Sequence, residues 1–220
     1  MEYYKRLRLP TVLNTSEAHR ILVPVTADPY SKRILVPCFT ERSVIDAVLT
    51  EEFKDALAAV GMLAESLHVF YRNNDVPLEK SYVHKDVAFV DGQWVSVPFA
   101  INIETNPTTV ATSVWWDVGS TPENIDDDQD TRVIKRHLNG AKYHENFHRS
   151  SPRYMQVPQL DSVTVVGNES PLLFRTDVAH SVASTSQGDR YNVSIRFNRQ
   201  LLPDYESALK KLKPYWDNHD

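Results

Sequence analysis

Between residues 65 and 197 the sequence is cut into seven short apolar runs. They are "ESLHVFYRN", "SYVHKDVAFV", "QWVSVPFAINIE", "TVATSVWWDV", "DSVTVVGN", "PLLFRTDVAHSVAS" and "RYNVSIRF". Between them stand "NNDVP", "VDGQ", "ETNPT" and "SQGD", rich in the residues that set turn backbone. Short strands at such close spacing predict an antiparallel barrel or jelly roll. Ahead of them, "RILVPV" and "RILVPCF" flank "TADPYSK" and read as a hairpin. "TERSVIDAVLTEEFKDALAAVG" carries Val44, Ile45, Val48, Leu49, Phe53 and Leu57 at helical spacing. One helix is expected there, capped by Thr40, ended by Gly61 and packed outside one sheet. "PDYESALKKLKPYW" reads as a last short helix. The whole of 1–220 is expected to be one domain, mostly β with flanking helices. Residues 1–61 would pack on the barrel, 62–200 would form its core, and 201–220 would hold the C-terminal helix.

The formal net charge is −5, from 24 basic and 29 acidic residues, with the basic ones scattered rather than striped. That distribution lacks a nucleic-acid footprint. No run of about 18 apolar residues exists to span a membrane, and the N-terminus has no signal-peptide pattern. A single cysteine, Cys38, excludes a disulfide framework and favours a reducing compartment, so a cytoplasmic location is expected. Its "ILVPCF" context reads as a buried thiol. Neither GxGxxG nor a phosphate-binding loop is present.

Two motifs are weak on inspection. "HENFH" places His144, Glu145 and His148 in an HExxH pattern, which binds zinc only on a helix. Gly140 and Pro152 leave little room for that helix, no third ligand follows at the metzincin spacing, and a zinc peptidase is therefore the weaker alternative. Asp126, Asp128 and Asp130 resemble the start of a calcium loop, but Thr131 stands where the sharp-turn glycine belongs. A solvated acidic loop is expected instead.

A better constellation lies on the apolar runs. In an extended "YVHKDVAF", His84 and Asp86 project from one face, and His180 in "VAHSVAS" can supply a second imidazole. Two histidines and one carboxylate on a facial set suit Fe(II) with open positions. Arg190 follows His180 by ten residues, and a hairpin through "SQGD" would bring the two together. Along that last run Arg190, Asn192, Ser194 and Arg196 share one face. An inward arginine needs an anion, which a dicarboxylic acid can supply in bidentate form. The alternative is that Arg190 pairs with a nearby carboxylate such as Asp189 or Asp177, which would make Arg196 the next candidate.

The HxD, the distal histidine and the arginine together resemble the Fe(II)/2-oxoglutarate-dependent oxygenases. The ten-residue spacing is similar to their aspartyl/asparaginyl and prolyl hydroxylase branch. "FAINIE…TTVATSVWW" and "LLFRTDVAHSV…RYNVSIRF" resemble small oxygenases of marine bacteria and their phages. The resemblance implies a double-stranded β-helix (jelly roll, cupin-like) and a dioxygenase that hydroxylates its substrate. It implies His84, Asp86 and His180 as iron ligands and Arg190 as the clamp on 2-oxoglutarate. Asn102 would line the cosubstrate pocket, and Trp116 the substrate pocket with Tyr82, Arg175 and Arg196. The expected partners are dioxygen and a peptide or small-molecule substrate. A jelly-roll protein that binds metal or ligand without turnover is the alternative from another class.

Overall fold

The computed structural model describes residues 1–14, 16–18, 20–21, 38–72, 82–83, 85–90, 93–117, 137–138, 141–142, 147–148, 159–167, 171–185, 189–198 and 201–217. For 82–83, 87–90, 93–95, 137–138, 141–142 and 147–148 only the backbone is described. The chain is mostly β, with antiparallel sheets and a few helices.

The larger sheet has six strands. They are β1 (Tyr4–Arg6), β2 (Cys38–Phe39), β3 (Ala64–Arg72), β7 (Phe99–Glu104), β13 (Leu172–Arg175) and β15 (Arg190–Phe197), in the order β1-β13-β7-β15-β3-β2. The smaller sheet is β12 (Gln159–Val166), β8 (Val110–Trp116) and β14 (His180–Thr185), in that order. Three two-stranded pieces complete the β-structure: β5 (Val87–Val90) with β6 (Gln93–Ser96), β4 (Tyr82–Val83) with β11 (Phe147–His148), and β9 (His137–Leu138) with β10 (Ala141–Lys142).

Alternation along β15 decides what each face of the larger sheet meets. Val193, Ile195 and Phe197 join Leu67, Val69, Ile101, Ile103 and Leu173 in the main apolar core. Helices α1 (Arg42–Val48), α2 (Glu51–Ala59) and α3 (Tyr205–Lys211) cover that face with Ile45, Val48, Phe53, Leu57 and Leu209. Burying one such side chain contributes about 1.5–3 kcal/mol. A second cluster joins the two sheets: Trp115, Val163 and Val165 from the smaller meet Leu172 and Phe174 from the larger.

The expected single helix over 40–61 is two. Leu49 is extended, at φ −87° and ψ 138°, and bridges to Leu13. Thr50 then caps α2 by accepting from Phe53 N at 3.2 Å, with Glu51 and Glu52 in the first turn. A good N-cap inside an apolar-periodic run thus restarts the helix. The stop at Gly61 holds, with φ +66° there. The "SYVHKDVAFV" run is likewise broken, because Lys85 and Asp86 lie outside any strand. The "PLLFRTDVAHSVAS" run also divides, putting β13 in the larger sheet and β14 in the smaller. Of the expected N-terminal hairpin only Arg20, Ile21 and β2 are described, and Arg20 and Ile21 are helical; the acidic 126–130 loop lies outside the described residues. Among the described residues no helix is long and apolar enough to cross a membrane.

Candidate metal centre

Asp86 sits on a short connection between β4 and β5, held by its backbone at both ends. Its N–H donates to Thr176 O at 2.9 Å, and its own carbonyl accepts from Val97 N at 2.9 Å. This clip, rather than the pleat of a strand, aims the carboxylate. His180 opens β14 opposite Trp115 of β8 and is 3% exposed. Its ring stands edge-on to Phe174 of the other sheet, with centroids 5.1 Å apart. Its Nδ1 lies 2.9 Å from Val178 O. That carbonyl needs a donor, so Nδ1 carries a proton. Nε2 is 3.8 Å from Asp86 Oδ1.

Two donors with bonds of roughly 2.0–2.2 Å to one ion stand about 3–4 Å apart, so this pair fits a shared metal. The carbonyl on Nδ1 is the partner that orients a ligating imidazole. His84, expected as the third ligand, lies outside the described residues. Among the described residues no group of three or more His, Cys, Asp or Glu forms a metal site.

Arg196 is the charged group that completes the pair's surroundings. It reaches from β15 to place Nη2 2.5 Å from Asp86 Oδ2. Its Nη1 is buried and has no hydrogen-bond partner among the described residues. Asn102 of β7 and Ser194 of β15 are opposed in register, and Asn102 Oδ1 and Ser194 Oγ are buried without partners too. A buried polar atom left without a hydrogen bond costs about 1–3 kcal/mol. On the far side of Ser194 stands His68 of β3. Burial, and then the Arg196 charge, lower its pKa to about 4, so the ring is neutral.

Arg190 was expected to lie beside the metal histidine across a hairpin, and that hairpin is not formed. β14 pairs with β8, whereas β15 pairs with β3 and β7, so the two strands belong to different sheets. The anion it needs is supplied by the chain itself. Arg190 Nε donates to Glu104 Oε2 at 3.2 Å and Nη2 donates to Glu104 Oε1, which also accepts from Asn192 Nδ2 at 3.0 Å. Glu104 is 6% exposed. The carboxylate is neither Asp189 nor Asp177, because period-2 register aims Glu104 along the same face.

Of the other expected pocket residues, Arg175 and Trp116 have partners of their own. Arg175 alternates with inward Phe174 and so faces α3, donating to Asp177 Oδ1 at 2.9 Å and Glu206 Oε1 at 3.3 Å. The tryptophan facing the interior is Trp115, fully buried, while Trp116 turns to the opposite face and donates to Ser181 Oγ at 3.0 Å. Tyr82 pairs through its backbone with His148 of β11. The second histidine of the HExxH pattern therefore lies on a strand; His144 and Glu145 are outside the described residues. Cys38 is exposed on β2 rather than in the core, with Sγ 3.3 Å from His68 Nε2. Partial burial of the thiol raises its pKa. Ser194 and His68 carried only a face assignment and a strand position in the sequence, and neither has a motif to announce it.

Set against known proteins, the chain matches no family model and no curated protein.

Proposed function

We propose that the chain is an Fe(II)- and 2-oxoglutarate-dependent oxygenase built on a double-stranded β-helix, acting on a peptide side chain or small metabolite. The observation that carries this reading is the Asp86–His180 pair at 3.8 Å, with the imidazole oriented by Val178 O. His84, two residues before Asp86 in sequence, would complete the ligand set. Iron held there would supply dioxygen activation and decarboxylation of the 2-oxo acid, coupled to hydroxylation of the substrate.

The chain's own groups then have separate tasks. Val178 O fixes the His180 tautomer, and the Thr176 and Val97 backbone groups fix Asp86. Arg196 holds the second Asp86 oxygen, which keeps the carboxylate from turning. Arg190 lies six residues from Arg196 along β15, about 20 Å at strand rise. The distal carboxylate of 2-oxoglutarate would take the place of Glu104 on Arg190, one carboxylate exchanging for another.

The test is anaerobic titration with Fe(II) and 2-oxoglutarate, following the metal-to-ligand charge-transfer band, and then an aerobic search for succinate. His84→Ala and Asp86→Ala should lose the band, whereas His144→Ala should keep it. Glu104→Gln should tighten 2-oxoglutarate binding, and Arg190→Lys should weaken it by about 1.5–3 kcal/mol, the scale of a hydrogen bond to a charged group. A band that survives Asp86→Ala would end this reading. A band without succinate under any substrate would favour the binding protein over the enzyme.

A further inference from the structure

The apolar cluster between the two sheets contains a line of aromatic rings, and that line begins at His180. The His180 ring stands edge-on to Phe174 with centroids 5.1 Å apart, and Phe174 packs on Trp115 at 4.6 Å. Trp115 stacks on Tyr4 at 5.8 Å with the two planes 15° apart, and Tyr3 lies 5.9 Å from the same indole. Aromatic rings pair with centroids about 4.5–7 Å apart, so every step is between neighbouring rings. Trp115 also stands directly opposite His180 in the register of β8 and β14, and so adjoins the metal position a second way. Burial changes along the line. Trp115 is 0% exposed and Tyr3 9%, whereas Tyr4 is half-buried.

Apolar side chains of any kind could fill this space, and the residue types add a property that packing does not need. Indole and phenol are the aromatic side chains that give up an electron most readily. Here the indole is in the buried middle of the line and a phenol at its half-buried end. The Trp115 N–H donates to Arg175 O at 2.9 Å. A backbone carbonyl holds that proton but is too weak a base to remove it, so an oxidised indole keeps its charge and its oxidising power. A phenol becomes a lasting radical only by releasing its proton, and Tyr4 is the ring with access to water. We propose that Trp115 and Tyr4 form an electron relay that carries oxidising equivalents from the Asp86–His180 position to the surface when no substrate consumes them. The relay rests on the oxygenase reading for the source of the oxidant, but the step between Trp115 and Tyr4 does not.

Each event moves one electron. A one-electron oxidant produced by dioxygen at the metal position takes the electron from Trp115, through Phe174 or directly across the β8–β14 pair. Phe174 stays unoxidised, because a benzene ring holds its electrons too tightly, and serves as the contact between the two ends. Trp115 recovers its electron from Tyr4. The Tyr4 O–H bond then breaks, the proton goes to water, and the phenoxyl radical is left near the surface. A soluble thiol or ascorbate restores the phenol by giving up one hydrogen atom.

The test has a metal-free half and a loaded half. In the first, the full chain without metal is flashed with light that indole absorbs and phenol does not, and a cobalt(III) ammine takes up the ejected electron. A nitroso spin trap marks the radicals, and peptide mass spectrometry locates them. Tyr4 should carry the main tyrosine adduct. Trp115→Phe should lower that adduct about ten-fold, whereas Trp116→Phe, which removes the neighbouring indole on the opposite face, should leave it. Because Trp115→Phe can loosen the contact between the sheets, the milder Tyr4→Phe carries the second decision: one phase of indole-radical decay should slow several-fold. An equal Tyr4 adduct without Trp115, adducts spread evenly over the tyrosines, or unchanged indole-radical decay in Tyr4→Phe would each overturn the relay. In the loaded half, the chain with Fe(II) and 2-oxoglutarate meets dioxygen without substrate. The Tyr4 adduct should appear again, and in Tyr4→Phe added oxygen should be found instead on residues beside Asp86 and His180. A chain that binds iron and 2-oxoglutarate yet forms the adduct only under light would overturn the link to the metal position. A chain that takes up neither would remove the oxygenase reading alone, with the light-driven result deciding the Trp115–Tyr4 step.

Discussion

The two faces of β15 differ in how completely they are satisfied. On the helix side Val193, Ile195 and Phe197 are enclosed by apolar neighbours from α1, α2 and α3. On the opposite side the same strand carries Arg190, Asn192, Ser194 and Arg196. That polar face divides again. At its start Arg190, Glu104 and Asn192 satisfy one another, while near its end Ser194 and Arg196 keep atoms without partners. A fold gains nothing from the second arrangement, since unpaired buried polar atoms cost stability. The difference separates the part of the face whose polar groups satisfy one another from the part where they do not.

The largest effect is expected where the satisfied half is broken. Glu104→Ala leaves the Arg190 guanidinium buried without its counter-ion, which should cost about 3–5 kcal/mol. Chemical denaturation should register it as a shifted midpoint at constant slope. A free carboxylate should restore part of the loss, because acetate or succinate can enter the vacated seat on Arg190. A Glu104→Ala chain as stable as the wild type, or indifferent to carboxylates, would mean that Arg190 finds water there.

His68, opposite Ser194, extends the comparison to pH. Its pKa is lowered to about 4 in the folded chain, chiefly by burial and then by the Arg196 charge, against an ordinary value of 6.5. Between those values the unfolded chain binds the proton and the folded chain refuses it. Stability is therefore complete above pH 6.5 and declines as pH falls toward 4. The whole decline should amount to roughly 2–3 kcal/mol from this group. His68→Asn should flatten the slope in that window. An unchanged slope would place the acid sensitivity in other groups.

Much of this was legible in the sequence where one residue's pattern fixes its own geometry. Alternation located β8, β12 and β15 and put Arg190 through Arg196 on a shared face, and Gly61 marked the end of a helix. What the pattern could not carry was the pairing of strands. "SQGD" looks like a hairpin turn, yet the strands on either side of it enter different sheets, so Arg190 and His180 are not paired on neighbouring strands. An earlier crossing, between β13 and β14, divides Phe174 and His180, which then meet again as ring contacts across the two layers. Glu104 was invisible as a partner because its role depends on the β7–β15 register, 86 residues away in sequence. Trp115 and Trp116 were interchangeable on paper, since two adjacent tryptophans face opposite ways and only the packing decides which is inside.

Ile195 and Ser194 are chain neighbours, both fully buried, and they give the closest comparison of the two faces. Ile195→Val deletes one methylene from a packed core and should cost about 1 kcal/mol.

The smallest expected effect has the opposite sign. Ser194 Oγ is desolvated and has no partner among the described residues. Removing an unpaired buried hydroxyl relieves a cost of about 1–3 kcal/mol, less whatever small void the alanine leaves. Ser194→Ala should therefore stabilise the chain by about 0.5–1 kcal/mol. Thermal melts of the two chains would measure it, and the variant should melt higher. A variant that melts lower by more than the void explains would show that the hydroxyl is already hydrogen-bonded in solution, with Asn102, directly opposite in register, as its nearest acceptor.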